Sequence, residues 1–325
     1  MAAALPGSFL PAQIHLHPLK AEASFRSFFR VLVSADQDAG AAQASGRVLM
    51  VSPPEKENNA QFKALIPVFL QAGVRVPALS ASRDESGWFL LEDLGDRDLQ
   101  HAYAGVERAP AIQAALATLA RIQTIRDPLL APYTRSRFRD ELGIFREWFL
   151  QRLLQIRLPR QLEATMDVLA AQPSTQPQCC VHRDYHCRNL LYSSTGEFGV
   201  VDFQDALIGP SAYDLASLLH DCYFHFDSEE IDYWREHFRA SFAPELSTAL
   251  LQRNVEFCAV QRQLKAIGIF TRLHLSRTIS SHLTHILPVL ERLPGLCAHH
   301  AELESLGRWL AELLPAAAQV LEPYR

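Results

Sequence analysis

One short segment in the second half of the chain holds the side chains whose types and spacing could do chemistry. It begins His182-Arg183-Asp184, has Asn189 five residues after the aspartate, and reaches Asp202 in a second apolar run. A carboxylate can accept a proton from a hydroxyl nucleophile. A carboxylate and an amide oxygen together suit a hard cation such as Mg²⁺, which keeps substrate phosphate oxygens among its ligands. The spacing therefore predicts proton transfer at Asp184 and cation binding at Asn189 and Asp202, the combination that phosphoryl transfer uses.

A β-hairpin is the element expected to position these groups. Two apolar runs flank a Ser-Ser-Thr-Gly turn, which is typical of two strands joined by a short loop. If Tyr192 pairs with Gly199, Asn189 lies opposite Asp202 at the open end of the hairpin. Asp184 then lies on the loop that leads into that end.

Other interpretations of these residues stay open. His182, Asp184 and His186 alternate along the chain, so they could instead be three ligands on one strand face of a metallohydrolase. The sequence shows no second His/Asp cluster to complete such a site. Asp205 could be a further carboxylate of the site or a solvated one. Asp214 is most simply a negative charge at the start of a helix, where the helix dipole favours it.

The elements around this segment change character once along the chain. β-type runs lie at 25–34, 47–52 and 88–91, and helical patterns lie at 53–73, 109–124, 138–158 and in long segments after residues 211 and 248. The first group mixes strands with one helix, whereas everything after residue 95 except the hairpin is helical. The predicted fold is α+β, with a small β-rich lobe over 1–95 and a large helical lobe over 96–325.

The composition is that of a folded protein and excludes several classes. Of the 325 residues, 48% are hydrophobic and 21% are charged, far from the composition of disordered chains. The net charge of −5, without a basic cluster, argues against nucleic acid as a partner. Thr278–Leu290, a stretch without Asp, Glu, Lys or Arg, is shorter than the roughly 20 apolar residues of a membrane span, and the N-terminus lacks a secretory-signal pattern. We therefore expect a cytoplasmic monomer, with no membrane partner and with its six cysteines reduced.

Three motifs resemble one superfamily. The runs H-R-D-Y-H-x-x-N from residue 182, V-D-F-Q-D from residue 201 and G-P-S-A-Y-D-L from residue 209 are similar to those of the aminoglycoside phosphotransferase and choline kinase superfamily. The resemblance implies a bilobal protein-kinase-like fold, ATP as phosphoryl donor and Mg²⁺ at Asn189 and Asp202. It implies that Asp184 and His186 are catalytic. It also implies structural roles for His182 and Asp214, with Asp214 fastening the catalytic loop. The chain departs from protein kinases proper, since F-Q replaces F-G and no A-P-E follows.

Further motifs are similar to one branch of that superfamily, the bacterial cell-wall amino-sugar kinases. They are S-F-R from residue 24, P-P-E-K-E from residue 53, F-L-L-E-D-L-G from residue 89 and Q-R-x-L-K-x-x-G-x-F-x-R-L from residue 261. Those enzymes phosphorylate the anomeric hydroxyl of N-acetylmuramate and N-acetylglucosamine, so the resemblance implies an amino-sugar kinase. A kinase of antibiotics or other small alcohols, and a non-catalytic nucleotide-binding module, are the alternatives.

The same resemblance assigns the nucleotide site. Ser24, Phe25 and Arg26 match the loop over the phosphates, although this loop lacks the usual glycines. Glu92 and Leu94 match the hinge, where backbone groups bind the adenine edge.

One departure concerns the lysine that pairs with the phosphates in this superfamily. The chain has four lysines, none of them in the 47–52 strand, and Met50 takes the expected place. Arg26, Arg30 or Lys56 could supply the missing charge, or Mg²⁺ could carry more of it. The remaining interpretation is an inactive pseudokinase.

The acceptor site is predicted from cationic side chains of the helical lobe. A guanidinium fork matches a carboxylate bidentately, as the lactyl group of N-acetylmuramate requires. We expect Arg146, Arg262 and Lys265 to bind the sugar, with Asp205 as a further substrate-binding group. Each long side chain could equally lie on a solvated helix face.

Overall fold

Two compact units make up the chain. The computed structural model describes residues 13–19, 25–34, 43–193 and 195–324. The first unit contains residues 1–115 and 189–204, and the second contains residues 116–188 and 205–325. Residues 189–204, which contain the predicted hairpin, thus belong to the same compact unit as the N-terminal part of the chain. The lobe boundary predicted between residues 95 and 96 stays a prediction.

The first unit contains an antiparallel sheet. Within the described residues it has five strands in the order β1-β2-β3-β5-β4. The strands are β1 (Ile14–Pro18), β2 (Ser27–Val33), β3 (Gln43–Val51), β4 (Leu79–Arg83) and β5 (Trp88–Glu92). Val31, Leu49 and Leu90, from the three central strands, form a buried apolar cluster. The sequence predicts these central strands but not the edge strands β1 and β4, which have few buried apolar side chains to reveal them.

Helix α1 (Asn59–Gln71) lies between β3 and β4 in sequence and buries one apolar stripe. The buried side chains recur at three- and four-residue spacing: Phe62, Leu65, Ile66 and Phe69. Asn58 caps the helix by accepting a hydrogen bond from the Gln61 amide. The sequence predicts that this helix starts at Pro53, but it begins at Asn59. The carbonyl of Pro53 instead closes a turn by accepting hydrogen bonds from the amides of Lys56 and Glu57.

The hairpin predicted around the Ser-Ser-Thr-Gly turn is present, but its predicted register is wrong. Its strands are β7 (Leu190–Tyr192) and β8 (Phe198–Val200). Tyr192 pairs with Phe198 rather than with Gly199. The loop fixes this register, since the amide of Ser193 donates to the carbonyl of Glu197 at 2.9 Å. A shift of one residue moves every side chain of a strand to the other face.

The second unit is mostly helical. The helices after residue 95 are α2 (Leu99–Tyr103), α3 (Arg108–Thr124), α4 (Arg135–Ile144), α5 (Glu163–Ala171), α6 (Tyr213–Leu219), α7 (Ser228–Phe242), α8 (Thr248–Arg277), α9 (Ile286–Ala298) and α10 (Glu304–Leu321). Single 3₁₀ turns lie at 84–86, 160–162, 172–175, 187–189, 283–285 and 322–324. Two short strands, β6 (Gln178–Val181) and β9 (Leu207–Pro210), pair antiparallel. The fold is thus α+β with a small β-rich unit and a large helical unit, as predicted.

Helix α8 is largely buried and packs against α4. Helix α4 continues into a π-helix over Phe145–Leu153, so the predicted helix at 138–158 ends early. Gly268 of α8 lies against the junction between α4 and the π-helix. A β-carbon at Gly268 would lie 2.5 Å from the amide nitrogen of Phe145 and 2.6 Å from the carbonyl carbon of Ile144. Only glycine permits this approach of the two backbones.

Two further predictions concern the membrane and the cysteines. No helix in the described part of the chain is long and apolar enough to cross a membrane. All six cysteines are free, and burial raises the pKa of the Cys179, Cys222, Cys258 and Cys297 thiols to about 12. These thiols therefore pack as small apolar groups.

Candidate active site

The loop that follows β6 carries the predicted base, and a buried carboxylate holds its backbone. Asp214, in the first turn of α6, accepts hydrogen bonds from the amides of His182 at 2.6 Å and Arg183 at 2.9 Å. The Arg183 backbone is left-handed, with φ of 79°. Such a conformation costs free energy in a residue with a side chain, and the two bonds to Asp214 offset that cost. Asp214 therefore fastens the loop that carries Asp184, as well as placing a charge at a helix start.

The metallohydrolase interpretation does not survive. Strand β6 ends at Val181, so His182, Asp184 and His186 lie on a loop and not along one strand face. His182 is fully buried. The residues that the structure describes contain no group of three or more His, Cys, Asp or Glu able to hold a metal ion.

Asp184 lies among cationic side chains. Its side chain is 39% exposed, and one oxygen lies 3.9 Å from Nη2 of Arg262. Burial alone would raise the pKa of Asp184, but the charges of Lys265 and Arg183, with smaller contributions from His186 and Arg262, bring that pKa far below its usual range. The carboxylate is therefore ionised near neutral pH, ready to accept a hydrogen bond from a hydroxyl.

A second carboxylate, Glu141 of α4, organises the same cations. Its oxygens lie 2.9 Å from Nη2 of Arg183 and 3.4 Å from Nζ of Lys265. Gln261 donates to it at 3.2 Å, and the Tyr133 hydroxyl also donates to it. Burial opposes ionisation, but the charges of Lys265 and Arg183 still lower the pKa of Glu141.

Sequence reasoning missed Glu141. One signal was present, because a glutamate stands beside Leu142 and three residues after Phe138, on the apolar stripe of a predicted helix. A charged group in that position is buried only when it is paired.

The predicted metal ligands both lie at the open end of the hairpin formed by β7 and β8. The main-chain carbonyl of Asn189 accepts from the amide of Val201 at 3.0 Å, so Asn189 lies opposite Val201 and not opposite Asp202. Asn189 is buried, whereas the Asp202 side chain is exposed on a left-handed backbone with φ of 63°. Gln204 donates from its side-chain amide to one Asp202 oxygen at 2.6 Å.

These donors fit Mg²⁺ in chemical type. One carboxylate and one amide oxygen, with the remaining positions taken by water and phosphate oxygens, is a usual magnesium set. Phe203, directly after Asp202, packs on the rings of Phe62 and Phe69 at centroid distances of 5.5 and 5.1 Å. This packing fixes the backbone that presents the carboxylate.

A model of the phosphotransferase enzyme family matches residues 15–256. The chain belongs to this family. The N-acetylmuramate/N-acetylglucosamine kinase of Neisseria meningitidis serogroup B is 32% identical over 308 residues, which are 90% of this chain and 89% of that protein. The protein of the same name from Pseudomonas putida is 31% identical over 306 residues, which are 91% of this chain and 87% of that protein.

A solved structure carries the same fold. A choline kinase from Cryptosporidium parvum Iowa II is similar with a TM-score of 0.64 at 12% identity, over 95% of this chain and 97% of that one. At this identity the likeness concerns the fold alone, and it confirms the predicted kinase-like fold of this phosphotransferase.

The residues predicted to form the phosphate loop contact Glu57. Ser24 lies outside the described residues. The Phe25 amide donates to Glu57 at 3.3 Å, and Nη2 of Arg26 lies 3.1 Å from the other Glu57 oxygen. Arg26 is buried and also donates to Ser52 at 3.3 Å.

Of the other cations considered for the missing lysine, Arg30 is held by acidic side chains. It pairs with Asp93 at 2.6 Å and with Asp96 at 3.0 Å. Lys56 lies 4.6 Å from the Phe25 ring centroid. Met50 itself is almost fully buried.

The predicted hinge lies at the end of β5. The Glu92 amide donates to the carbonyl of Ala78, and its carboxylate pairs with Arg75 at 2.8 Å. Leu94 packs closely on Gly199 of β8. A β-carbon at position 199 would lie 2.8 Å from Cδ1 of Leu94. The role of both residues in adenine binding stays a prediction.

The predicted acceptor residues separate into two groups. Arg262 and Lys265 are buried beside Asp184 and Glu141, whereas Arg146 pairs with Glu163 at 2.6 Å on the surface of its helix. Asp205 is exposed. Their binding of substrate stays a prediction.

Proposed function

We propose that this phosphotransferase transfers the γ-phosphoryl group of ATP to the anomeric hydroxyl of N-acetylmuramate and N-acetylglucosamine. The observation that carries the proposal is the likeness to relatives of that name over about nine-tenths of the chain. That likeness includes α8, whose Gln261, Arg262 and Lys265 lie around the predicted base.

The charge cluster around Asp184 suits this reaction. A carboxylate with a depressed pKa is a weak base, so it orients the acceptor hydroxyl first and takes the proton late. Phosphoryl transfer tolerates that order, because its transition state is loose and needs little charge on the nucleophile. An anomeric hydroxyl suits a weak base further, since the ring oxygen on the same carbon makes it more acidic than other sugar hydroxyls.

On the nucleotide side, Asn189 and Asp202 would hold Mg²⁺. When bound, Mg²⁺ neutralises charge that develops on the β- and γ-phosphates. Gln204 orients the Asp202 carboxylate through its hydrogen bond. For the phosphate-pairing cation we propose Arg26, because its pair with Glu57 repeats the lysine–glutamate ion pair of kinases in which the lysine aligns the phosphates.

The test is ADP release with ATP, Mg²⁺ and a panel of acceptors. N-acetylmuramate and N-acetylglucosamine should support turnover, while choline and an aminoglycoside should not. Asp184→Asn protein serves as the control for contaminating kinases.

The position of the new phosphate is a separate readout. A phosphate on the anomeric oxygen is released by dilute acid, whereas a phosphate on another sugar hydroxyl resists it. Turnover of choline or an aminoglycoside alone would contradict the acceptor assignment. If none of the acceptors in the panel supports ADP release, the result would favour the alternative of a non-catalytic nucleotide-binding module.

A further inference from the structure

Three buried cationic side chains of the helical unit lie around two carboxylates. The cations are Arg183, Arg262 and Lys265, each with a side chain no more than 10% exposed. One carboxylate is the predicted base, Asp184, which is 39% exposed, and the other is Glu141, which is 8% exposed. These five groups carry three positive charges and two negative ones, so one positive charge is in excess.

The same cations act on both carboxylates. One oxygen of Glu141 accepts a hydrogen bond from Nη2 of Arg183 at 2.9 Å and lies 3.4 Å from Nζ of Lys265. Burial alone would raise the pKa of Asp184, and the charges of Lys265 and Arg183 are the largest that lower it. Burial opposes the charge of Lys265 in turn, but Tyr213 and the two carboxylates raise its pKa. Lys265 is therefore an ammonium that two carboxylates share.

Glu141 is also held by groups that carry no charge. Its second oxygen accepts hydrogen bonds from the side-chain amide of Gln261 at 3.2 Å and from the hydroxyl of Tyr133. The Arg183 guanidinium lies over the ring of the same tyrosine, 5.4 Å from its centroid. A carboxylate bound at both oxygens presents its charge at one place, so the cations at its first oxygen are held in fixed positions.

We propose that Glu141 is a positioning residue, which draws Lys265 away from Asp184 so that the base binds the acceptor hydroxyl and not a protein ammonium. This inference rests on the proposed function, in which Asp184 orients that hydroxyl. Without Glu141, Asp184 would face all three cations alone, and a buried charge that loses its partner is costly. Lys265 is the cation that can move to Asp184, because its ammonium is carried on a flexible four-carbon stem. The acceptor hydroxyl would then have to displace it.

The test is a double-mutant cycle with Glu141→Gln and Lys265→Met, each of which removes one charge and keeps most of the shape of the side chain. N-acetylglucosamine is the acceptor, because it has no carboxylate that Lys265 could bind. With ATP and Mg²⁺, Glu141→Gln should lower kcat/KM for this sugar roughly ten- to a hundredfold, the contribution of one charge-assisted hydrogen bond. The KM for ATP should change about twofold or less.

The second substitution should restore activity. Protein with both substitutions has the same single excess positive charge as the parent, and it has no ammonium at position 265 to pair with Asp184. We expect it to be about tenfold more active than Glu141→Gln protein. If Glu141 served packing alone, a second substitution in the same cluster would add to the damage and would not reverse it.

The melting temperature of each variant shows whether it is folded in the assay. If Glu141→Gln protein does not fold, the double variant is compared with Lys265→Met protein instead. Because neither of these contains the lysine, their activities should agree within about threefold. A double variant that is much less active than Lys265→Met protein, or that also does not fold, would contradict a role exerted through Lys265.

The matched control is Glu256→Gln. Glu256 is also a buried carboxylate, 4% exposed, and its oxygens lie 2.9 Å from Nδ1 of His299 and 2.6 Å from Nε2 of His300. It precedes Lys265 by nine residues on α8, which is about 13 Å along a helix. Its replacement should leave the turnover of N-acetylglucosamine unaffected.

The outcomes separate two failures. Glu141→Gln protein as active as the control, or a double variant no more active than Glu141→Gln protein, would overturn the role of Glu141 while leaving the sugar kinase in place. A parent protein that phosphorylates neither sugar would overturn the proposed function, and the inference with it.

Discussion

Replacing Asp214 by asparagine tests whether the catalytic loop depends on one buried carboxylate. Each Asp214 oxygen accepts one backbone amide, from His182 at 2.6 Å and from Arg183 at 2.9 Å. A carboxamide keeps one acceptor and turns its NH₂ group towards the other amide. The variant therefore loses one charge-assisted hydrogen bond and converts the second to a neutral one.

The size of the effect follows from these two bonds. A hydrogen bond to a charged group contributes about 1.5 to 3 kcal/mol and a neutral one about 1, and removal of a buried charge offsets part of the loss. We expect the free energy of unfolding to fall by about 2 to 4 kcal/mol, a large share of the roughly 5 to 15 kcal/mol of a typical protein. Because the loop carries Asp184, kcat should fall about a hundredfold, as a misplacement of about 1 Å can cause, with less change in the KM for ATP.

The assay is urea denaturation followed by tryptophan fluorescence. Three of the four tryptophans, Trp148, Trp234 and Trp309, belong to the helical unit, so the signal reports mainly on that unit. Asp227→Asn is the control, because Asp227 also accepts a backbone amide, from Glu230 at 2.8 Å, but at an exposed helix start where asparagine caps as well as aspartate. An Asp214→Asn protein as stable and as active as this control would refute the reasoning.

Three further predictions concern the base, the metal ligands and a remote acid. Asp184→Asn should lower kcat about 10²- to 10⁴-fold with nucleotide affinity nearly unchanged, measured by ADP release and nucleotide titration; near-normal turnover would remove it from the role of base. Asp202→Ala should nearly abolish transfer and raise the Mg²⁺ requirement, and Asn189→Ala should do so less severely; parent-like Mg²⁺ dependence in both would contradict the metal assignment. Burial alone would raise the pKa of Glu256, but hydrogen bonds, including one from His299, bring that pKa below its ordinary value of 4.5. The ionised carboxylate therefore stabilises the folded protein above about pH 4.5, and this stabilisation is lost as the pH falls through the lowered pKa. The melting temperature of the parent should therefore fall more steeply below about pH 4.5 than that of Glu256→Gln, and parallel curves would contradict this.

The residues that could be predicted from the sequence lie close together in the chain. Asp184, Asn189 and Asp202 lie within nineteen positions of one another, and local patterns identified the hairpin and the face of α1. The register of that hairpin was wrong because the hydrogen bond from Ser193 to Glu197, and not the hydrophobic pattern, sets where the loop closes.

The partners of Glu141 could not be predicted in this way. Tyr133, Arg183 and the α8 pair Gln261 and Lys265 come from three separate parts of the chain and meet only in the folded protein. A single sequence shows that a charge lies on an apolar face. It does not show which distant charge compensates it.

The contact at Gly268 gives protein engineers a way to alter the base without touching a charged residue. Lys265 precedes Gly268 by three residues on α8, and Glu141 precedes the junction that Gly268 touches on α4. A methyl group at 268 would meet the amide of Phe145 at 2.5 Å, so the two helices would have to move apart. Lys265 would then move away from Glu141 and Asp184, and the proton affinity of the Asp184 carboxylate would rise. The amino acid with the smallest side chain in this helix thus helps to set the acidity of the predicted base, through distance alone.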